Sequence, residues 1–126
     1  MPELLGIECG ATHTVALHES AGQVIRAGFG PANLRLLNDT QLARHLRQIA
    51  KQFPKPSAVA IGMAGARTPA DKLRLRRAAT RAWPIATIHA TNDLETALAA
   101  DTQRKPANRV LVLSGTGSCC FGQSPD

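Results

Sequence analysis

Two glycine–threonine turns, about a hundred residues apart, constrain this chain more than any other feature. The first is Glu8-Cys9-Gly10-Ala11-Thr12-His13-Thr14, and the second is Ser114-Gly115-Thr116-Gly117-Ser118. Each follows an apolar, strand-like run, Leu4 to Ile7 in one case and Val110 to Leu113 in the other. A third such run closes on Thr91-Asn92-Asp93. Glycine lets backbone amides approach an anionic ligand closely, and threonine or serine adds a hydroxyl donor. One such turn means little, but two that face each other across a carboxylate would suit transfer of a phosphoryl group.

The pattern between the turns predicts alternating strands and helices. Leu4–Cys9, Thr14–Glu19 and Gln23–Gly28 read as three short strands, with Ser20-Ala21-Gly22 as a hairpin loop. A helix is predicted from Asp39 to Phe53, because Leu42, Leu46, Ile49, Ala50 and Phe53 recur at helical spacing. Asn38 or Asp39 can cap it, and Pro54 and Pro56 end it. Ser57–Met63 is a continuous apolar run, as expected of a strand buried on both faces. Thr68-Pro69 opens a second helix, threonine as N-cap and proline in the first turn, which stops near Trp83-Pro84. Ile85–Ala90 reads as a fifth strand and Asn92–Asp101 as a third helix. Gln103 to Asn108 is polar, contains Pro106 and reads as a linker before the strand that starts at Val110.

Five segments together carry a resemblance to a known family: GIECGATHT (Gly6 to Thr14), GFGPANL (Gly28 to Leu34), AIGMAGA (Ala60 to Ala66), TNDLETAL (Thr91 to Leu98) and LVLSGTGSCCFG (Leu111 to Gly122). In this order the chain resembles the BadF/BcrA-type ATPases, the branch of the actin-like ATPase and sugar-kinase superfamily that includes N-acetylglucosamine kinase. The resemblance implies an α/β fold, a ribonuclease H-like lobe whose mixed β-sheet runs β-β-β-α-β-α-β-α with helices packed on it. Residues 1–107 would be that lobe, and residues 108–126 the truncated first hairpin of a second one.

The family also implies an activity, ATP-dependent phosphoryl transfer to an amino sugar with Mg²⁺, N-acetylglucosamine first. On that mapping Gly10, Ala11 and Thr12 bind phosphate from one side, and Gly115, Thr116, Gly117 and Ser118 from the other. Glu8 stands where the family has a metal-associated Asp, so the carboxylate is kept with one more methylene. Asp93 would be the general base that accepts the sugar hydroxyl proton. Asn33 and Asn92 would contact sugar, since an amide both donates and accepts. Plainer roles exist for each: a hairpin turn at Gly10, a turn residue at Asn33, a helix N-cap at Asn92 or Asp93. Two other functions share the fold, a non-kinase ATPase that activates an acyl-CoA dehydratase and a sugar-sensing regulator. Asn33 and Asp93 favour the kinase over the first. The few residues ahead of the first turn argue against the second, whose DNA-binding segment usually lies there.

Composition narrows the partners. A length of 126 residues suits one small domain, and with 3% aromatics and no Tyr the core should be built from Ala, Val, Leu and Ile. The net charge of +6 raises the question of nucleic acid. Its densest source is Lys72, Arg74, Arg76, Arg77 and Arg81, where Arg74, Arg77 and Arg81 are expected on one helical face and Leu75, Ala78, Ala79 and Ala82 on another. With no aromatics interleaved, that reads as a solvated face, not a nucleic-acid site. No apolar run reaches the roughly 20 residues a membrane span needs. A basic region followed by an apolar stretch is missing at the N-terminus, and three cysteines form neither a disulfide framework nor a CxxC pattern. The expectation is a cytoplasmic protein that binds ATP and a small sugar, with a homodimer of the full-length protein left open. The four histidines lack metal-ligand spacing.

Overall fold

In the computed structural model, residues 3–93, 109–114 and 118–123 are described. Five strands form one mixed sheet: β1 (Leu4–Cys9), β2 (Thr14–Ser20), β3 (Gln23–Phe29), β4 (Ala58–Met63) and β5 (Thr87–Thr91). Their spatial order is β3-β2-β1-β4-β5. The first three form an antiparallel meander, whereas β4 runs parallel to β1 and β5 parallel to β4. The β2–β3 loop is two residues long, Ala21 and Gly22, both at positive φ (52° and 80°), the primed turn that matches the twist of a hairpin.

Two helices, α1 (Asp39–Gln52) and α2 (Pro69–Ala82), supply the crossovers. Both begin with a reciprocal capping box. Gln41 N–H donates to Asn38 Oδ1 at 2.8 Å while Asn38 N–H donates to Gln41 Oε1 at 2.9 Å. In α2, Asp71 N–H donates to Thr68 Oγ1, and the N–H groups of Thr68 and Arg67 donate to Asp71 Oδ2. These donors, the Thr68 amide first, hold the Asp71 carboxyl below its ordinary range.

The core lies between the helices and one face of the sheet. Leu5, Ile7 and Cys9 of β1 and Val59, Ile61 and Met63 of β4 meet Leu42, Leu46 and Ile49 of α1 and Leu75, Ala79 and Trp83 of α2. Intervening residues Leu4, Gly6, Glu8 and Ala60 are exposed. The expectation that the fourth strand is buried on both faces holds only in part: on the face away from the helices Gly62 is buried, Ala58 is half-buried and Ala60 is exposed. The fifth strand also starts later than predicted. Ala86 N–H donates to the Trp83 carbonyl at 3.2 Å, and that turn leaves Ile85 95% exposed.

A second, two-stranded sheet pairs β6 (Arg109–Ser114) with β7 (Ser118–Gln123) antiparallel. The predicted third helix beyond Asp93 and the Gln103–Asn108 linker lie outside the described residues. Among the described residues no helix is long and apolar enough to cross a membrane.

Candidate active site at the carboxyl ends of the parallel strands

Strand order places a topological switch between β1 and β4, because the chain leaves β1 toward β2 and leaves β4 toward β5. In open α/β sheets the crevice outside the carboxyl ends at such a point is where ligands bind. Three of the segments singled out in the sequence converge there: the Gly10–His13 turn after β1, Ala64-Gly65 after β4, and Asn92-Asp93 after β5.

The segment after β3 is stitched across this end. Ala64 N–H donates to the Cys9 carbonyl at 2.9 Å, Ala32 N–H to the Gly10 carbonyl at 3.1 Å and Leu34 N–H to the Ala64 carbonyl at 2.8 Å. Asn33 thereby forms a parallel bridge with Ala64. Its Oδ1 accepts from Arg35 N–H at 3.0 Å, capping a turn of 3-10 helix at Leu34–Leu36 that the sequence pattern did not predict. The carbonyl half of the Asn33 amide is thus occupied, and the NH₂ half is the part left to meet a ligand.

Gly65 makes this approach possible. It sits at φ +86°, and a Cβ there would collide with Asn33 Oδ1 and come within 3.1 Å of Arg35 N and 3.2 Å of Leu34 N. Gly65→Ala is expected to cost about 2–4 kcal/mol, from left-handed strain plus overpacking. Gly22→Ala is the control, since Gly22 has φ +80° with nothing within 4 Å. It should cost only the strain, about 1–2 kcal/mol. Equal urea midpoints for the two variants would refute the close contact at Gly65.

In the first turn, Gly10 N–H donates to the His13 carbonyl at 2.9 Å. Among the described residues the amides of exposed Ala11 and Thr12 have no such acceptor. Thr12 Oγ1 lies 3.0 Å from His13 Nδ1. Beneath the turn, His45 of α1 brings Nε2 to 3.2 Å from Thr14 Oγ1 and 3.8 Å from Cys9 Sγ. The spacing of the four histidines does not single out His45. Its signal was a polar side chain within the apolar stripe at Leu42, Leu46 and Ile49, which fits a group held under a loop.

Burial lowers the His45 pKa below the ordinary histidine value. The unfolded chain therefore takes up that proton more readily than the folded one. Stability should be full above the ordinary histidine range and fall as pH drops through it toward the depressed folded value. Melting temperatures between about pH 7.5 and pH 5, where carboxylates are still largely ionised, should fall less for His45→Gln than for the wild type. Parallel curves would remove His45 from this coupling.

Glu8 lies in register with Val15 on β2 and Gly62 on β4, and Gly62 in turn with Thr91 on β5. Glu8 and Thr91 are thus two strand spacings apart, about 10 Å. Gly62 has no side chain to fill the space between them. Thr91 and Asn92 are buried, Asp93 is half-buried and Glu8 is exposed. The charges of Glu8 and Asp93 both act on Cys9, whose thiol is pushed up to about 12, first by burial and then by these two carboxylates, against a lowering hydrogen bond from Thr14. Two carboxylates thus stand at this end of the sheet, Glu8 on β1 and Asp93 after β5. Glu8, exposed at the sheet end, is one oxygen donor of the kind that a largely hydrated Mg²⁺ ion takes beside phosphate oxygens. Of the second turn, Ser118 pairs with Ser114 where β7 begins, and Gly115, Thr116 and Gly117 lie outside the described residues.

No family model matches the chain. It is 26% identical over 136 aligned positions to an N-acetylmuramic acid/N-acetylglucosamine kinase of Clostridium acetobutylicum, an alignment that takes in 100% of this chain and 44% of that protein. A solved structure of a candidate sugar kinase from Cytophaga hutchinsonii superposes with a TM-score of 0.68 at 16% identity, covering 98% of this chain and 48% of that one. The chain thus spans somewhat under half the length of these two relatives. Its fold is α/β of the ribonuclease H-like (actin-like ATPase) type, a mixed sheet with helices packed on it.

Proposed function

We propose that this chain is the N-terminal part of an ATP-dependent kinase of an amino sugar, N-acetylglucosamine first. Residues 1–107 form its first lobe, and residues 108–126 open the second. The observation that supports this is the stitching of Asn33 to the turns after β1 and β4, at the sheet end where β1, β4 and β5 also carry Glu8 and Asp93. The likeness to a kinase of N-acetylated sugars supports the same reading.

Asn33 donates its NH₂ to a sugar hydroxyl and holds the acceptor near Asp93. Asp93 takes the proton of the reacting hydroxyl as that oxygen bonds to the γ-phosphorus of ATP and the bond to ADP breaks. The amides of Ala11 and Thr12 face the phosphates from this lobe, and Gly115 to Ser118 do so from the other. Asn92 supports the sugar side of the crevice. Glu8 would hold the metal through water, and a bound Mg²⁺ would neutralise phosphate charge.

The test is ADP release by a chain carrying both lobes, with N-acetylglucosamine, N-acetylmuramic acid, glucose or no sugar. Release is expected to require an N-acetylated sugar and to stop when EDTA removes the metal. Release of equal rate without any sugar would replace the kinase with a non-kinase ATPase on the same fold.

A further inference from the structure

Four arginines that the candidate site does not use cluster on the outer surface of the helical layer. There α1 and α2 leave a groove of about 510 Å³ between them. Its floor is apolar, with Ala43 of α1 and Leu73, Ala78 and Ala82 of α2. The alanines are too short to fill the space, and Leu73 stays 45% exposed over it.

The walls are basic. Arg47 stands on α1, and Arg74, Arg77 and Arg81 on α2. The expected solvated arginine face is therefore one wall of a groove. Arg74 serves the fold, since its Nε donates to Asp39 Oδ1 at 2.9 Å and its terminal nitrogens donate to the carbonyls of Leu34 and Leu37 at 2.9 and 2.7 Å. That pairing also neutralises Asp39, the one carboxylate in the lining. Among the described residues Arg47, Arg77 and Arg81 have no carboxylate partner.

We propose that this groove docks an acidic amphipathic helix of a partner protein. An apolar floor between two cationic walls calls for a ligand with an apolar stripe flanked by carboxylates, which is how helix-in-groove recognition works. The lining runs along α2 from Ala70 to Ala82, about 18 Å, and matches a partner helix of about three turns. A nucleic acid would leave Leu73 without a counterpart, and no aromatic side chain lines the groove for bases to stack on. A second copy of this chain would bring its own excess of positive charge, with 15 Lys and Arg against 9 Asp and Glu.

The test uses the full chain and fluorescein-labelled peptides read by anisotropy. The probe is a helical peptide as long as α1, with leucines at i, i+4 and i+7 and glutamates on both flanks. Its controls are a scramble of identical charge, the same stripe flanked by lysines, and a single-stranded oligonucleotide. The acidic amphipathic peptide should bind at least about ten-fold tighter than every control. Leu73→Glu and the Arg77→Glu, Arg81→Glu pair should each weaken it about ten-fold or more, with unchanged melting temperature because these side chains are exposed. Equal binding of the scramble or the oligonucleotide would make the groove a general polyanion surface and overturn the proposal. So would absence of binding by the probe, indifference to Leu73→Glu, or sedimentation showing that the groove pairs two copies of the chain.

Discussion

Asp93→Asn, in a chain carrying both lobes, should lower kcat for sugar phosphorylation by roughly 10²- to 10⁴-fold, the usual contribution of a positioned general base. The substitution separates the two roles expected of Asp93 from the sequence, general base and helix N-cap. Asparagine caps a helix about as well as aspartate, so a purely structural Asp93 would tolerate the change within a few tenths of a kcal/mol and keep its activity. Asparagine cannot take up the hydroxyl proton. Loss of kcat with an unchanged melting temperature and an ATP KM within a few-fold of wild type therefore identifies a base. A melting temperature that falls together with kcat would make the loss one of folding and not of the base. Full activity with full stability would remove Asp93 from the chemistry altogether, and the amino-sugar kinase assignment would lose its base.

Trp83→Ala should cost about 3–5 kcal/mol, the range for deleting a large buried aromatic side chain. Trp83 is 1% exposed, and its indole N–H donates to the Phe53 carbonyl at 2.9 Å. Phe53 ends α1 and Trp83 ends α2, so one side chain ties the two helices together at their C-termini. Alanine there opens a cavity and leaves that carbonyl without its donor. A domain of this size has only about 5–15 kcal/mol in total, so the variant should be substantially destabilised at physiological temperature. Trp83→Phe refills most of the volume without the N–H and should lose less, about 1–3 kcal/mol. Urea unfolding followed by circular dichroism gives both values. A Trp83→Ala midpoint close to wild type would contradict the packing described for this end of the core.

Much of the architecture was legible because it rests on short-range signals. The capping residues Asn38 and Thr68, Pro69 in the first turn of α2, and the 42-46-49 stripe all act within one or two helical turns. The Ala21-Gly22 loop is as local. The fourth and fifth strands were less readable. An apolar run does not say whether one face or two are covered, and Ile85 looks like a strand residue until the Trp83–Ala86 turn is seen to turn it outward. Within the site, Asn33 and the first turn stood out as residue types, but their free atoms did not. That Gly10 N–H and Asn33 Oδ1 are already occupied is a matter of backbone closure, visible only in three dimensions.

The sequence by itself determined, to within a residue, where the two helices and the first three strands start and stop, and which strand ends carry polar turns. Those properties follow from periodicity, capping and the conformational limits of glycine and proline, which operate over a few residues. Tertiary structure decided what those ends meet. The order β3-β2-β1-β4-β5 opens the crevice between β1 and β4 and brings Asn33 against Gly65. The same packing puts His45 under the first turn and sets Arg77 and Arg81 opposite Arg47. Each of these contacts joins segments some thirty residues apart, and strand pairing and helix packing, not local preference, bring them together.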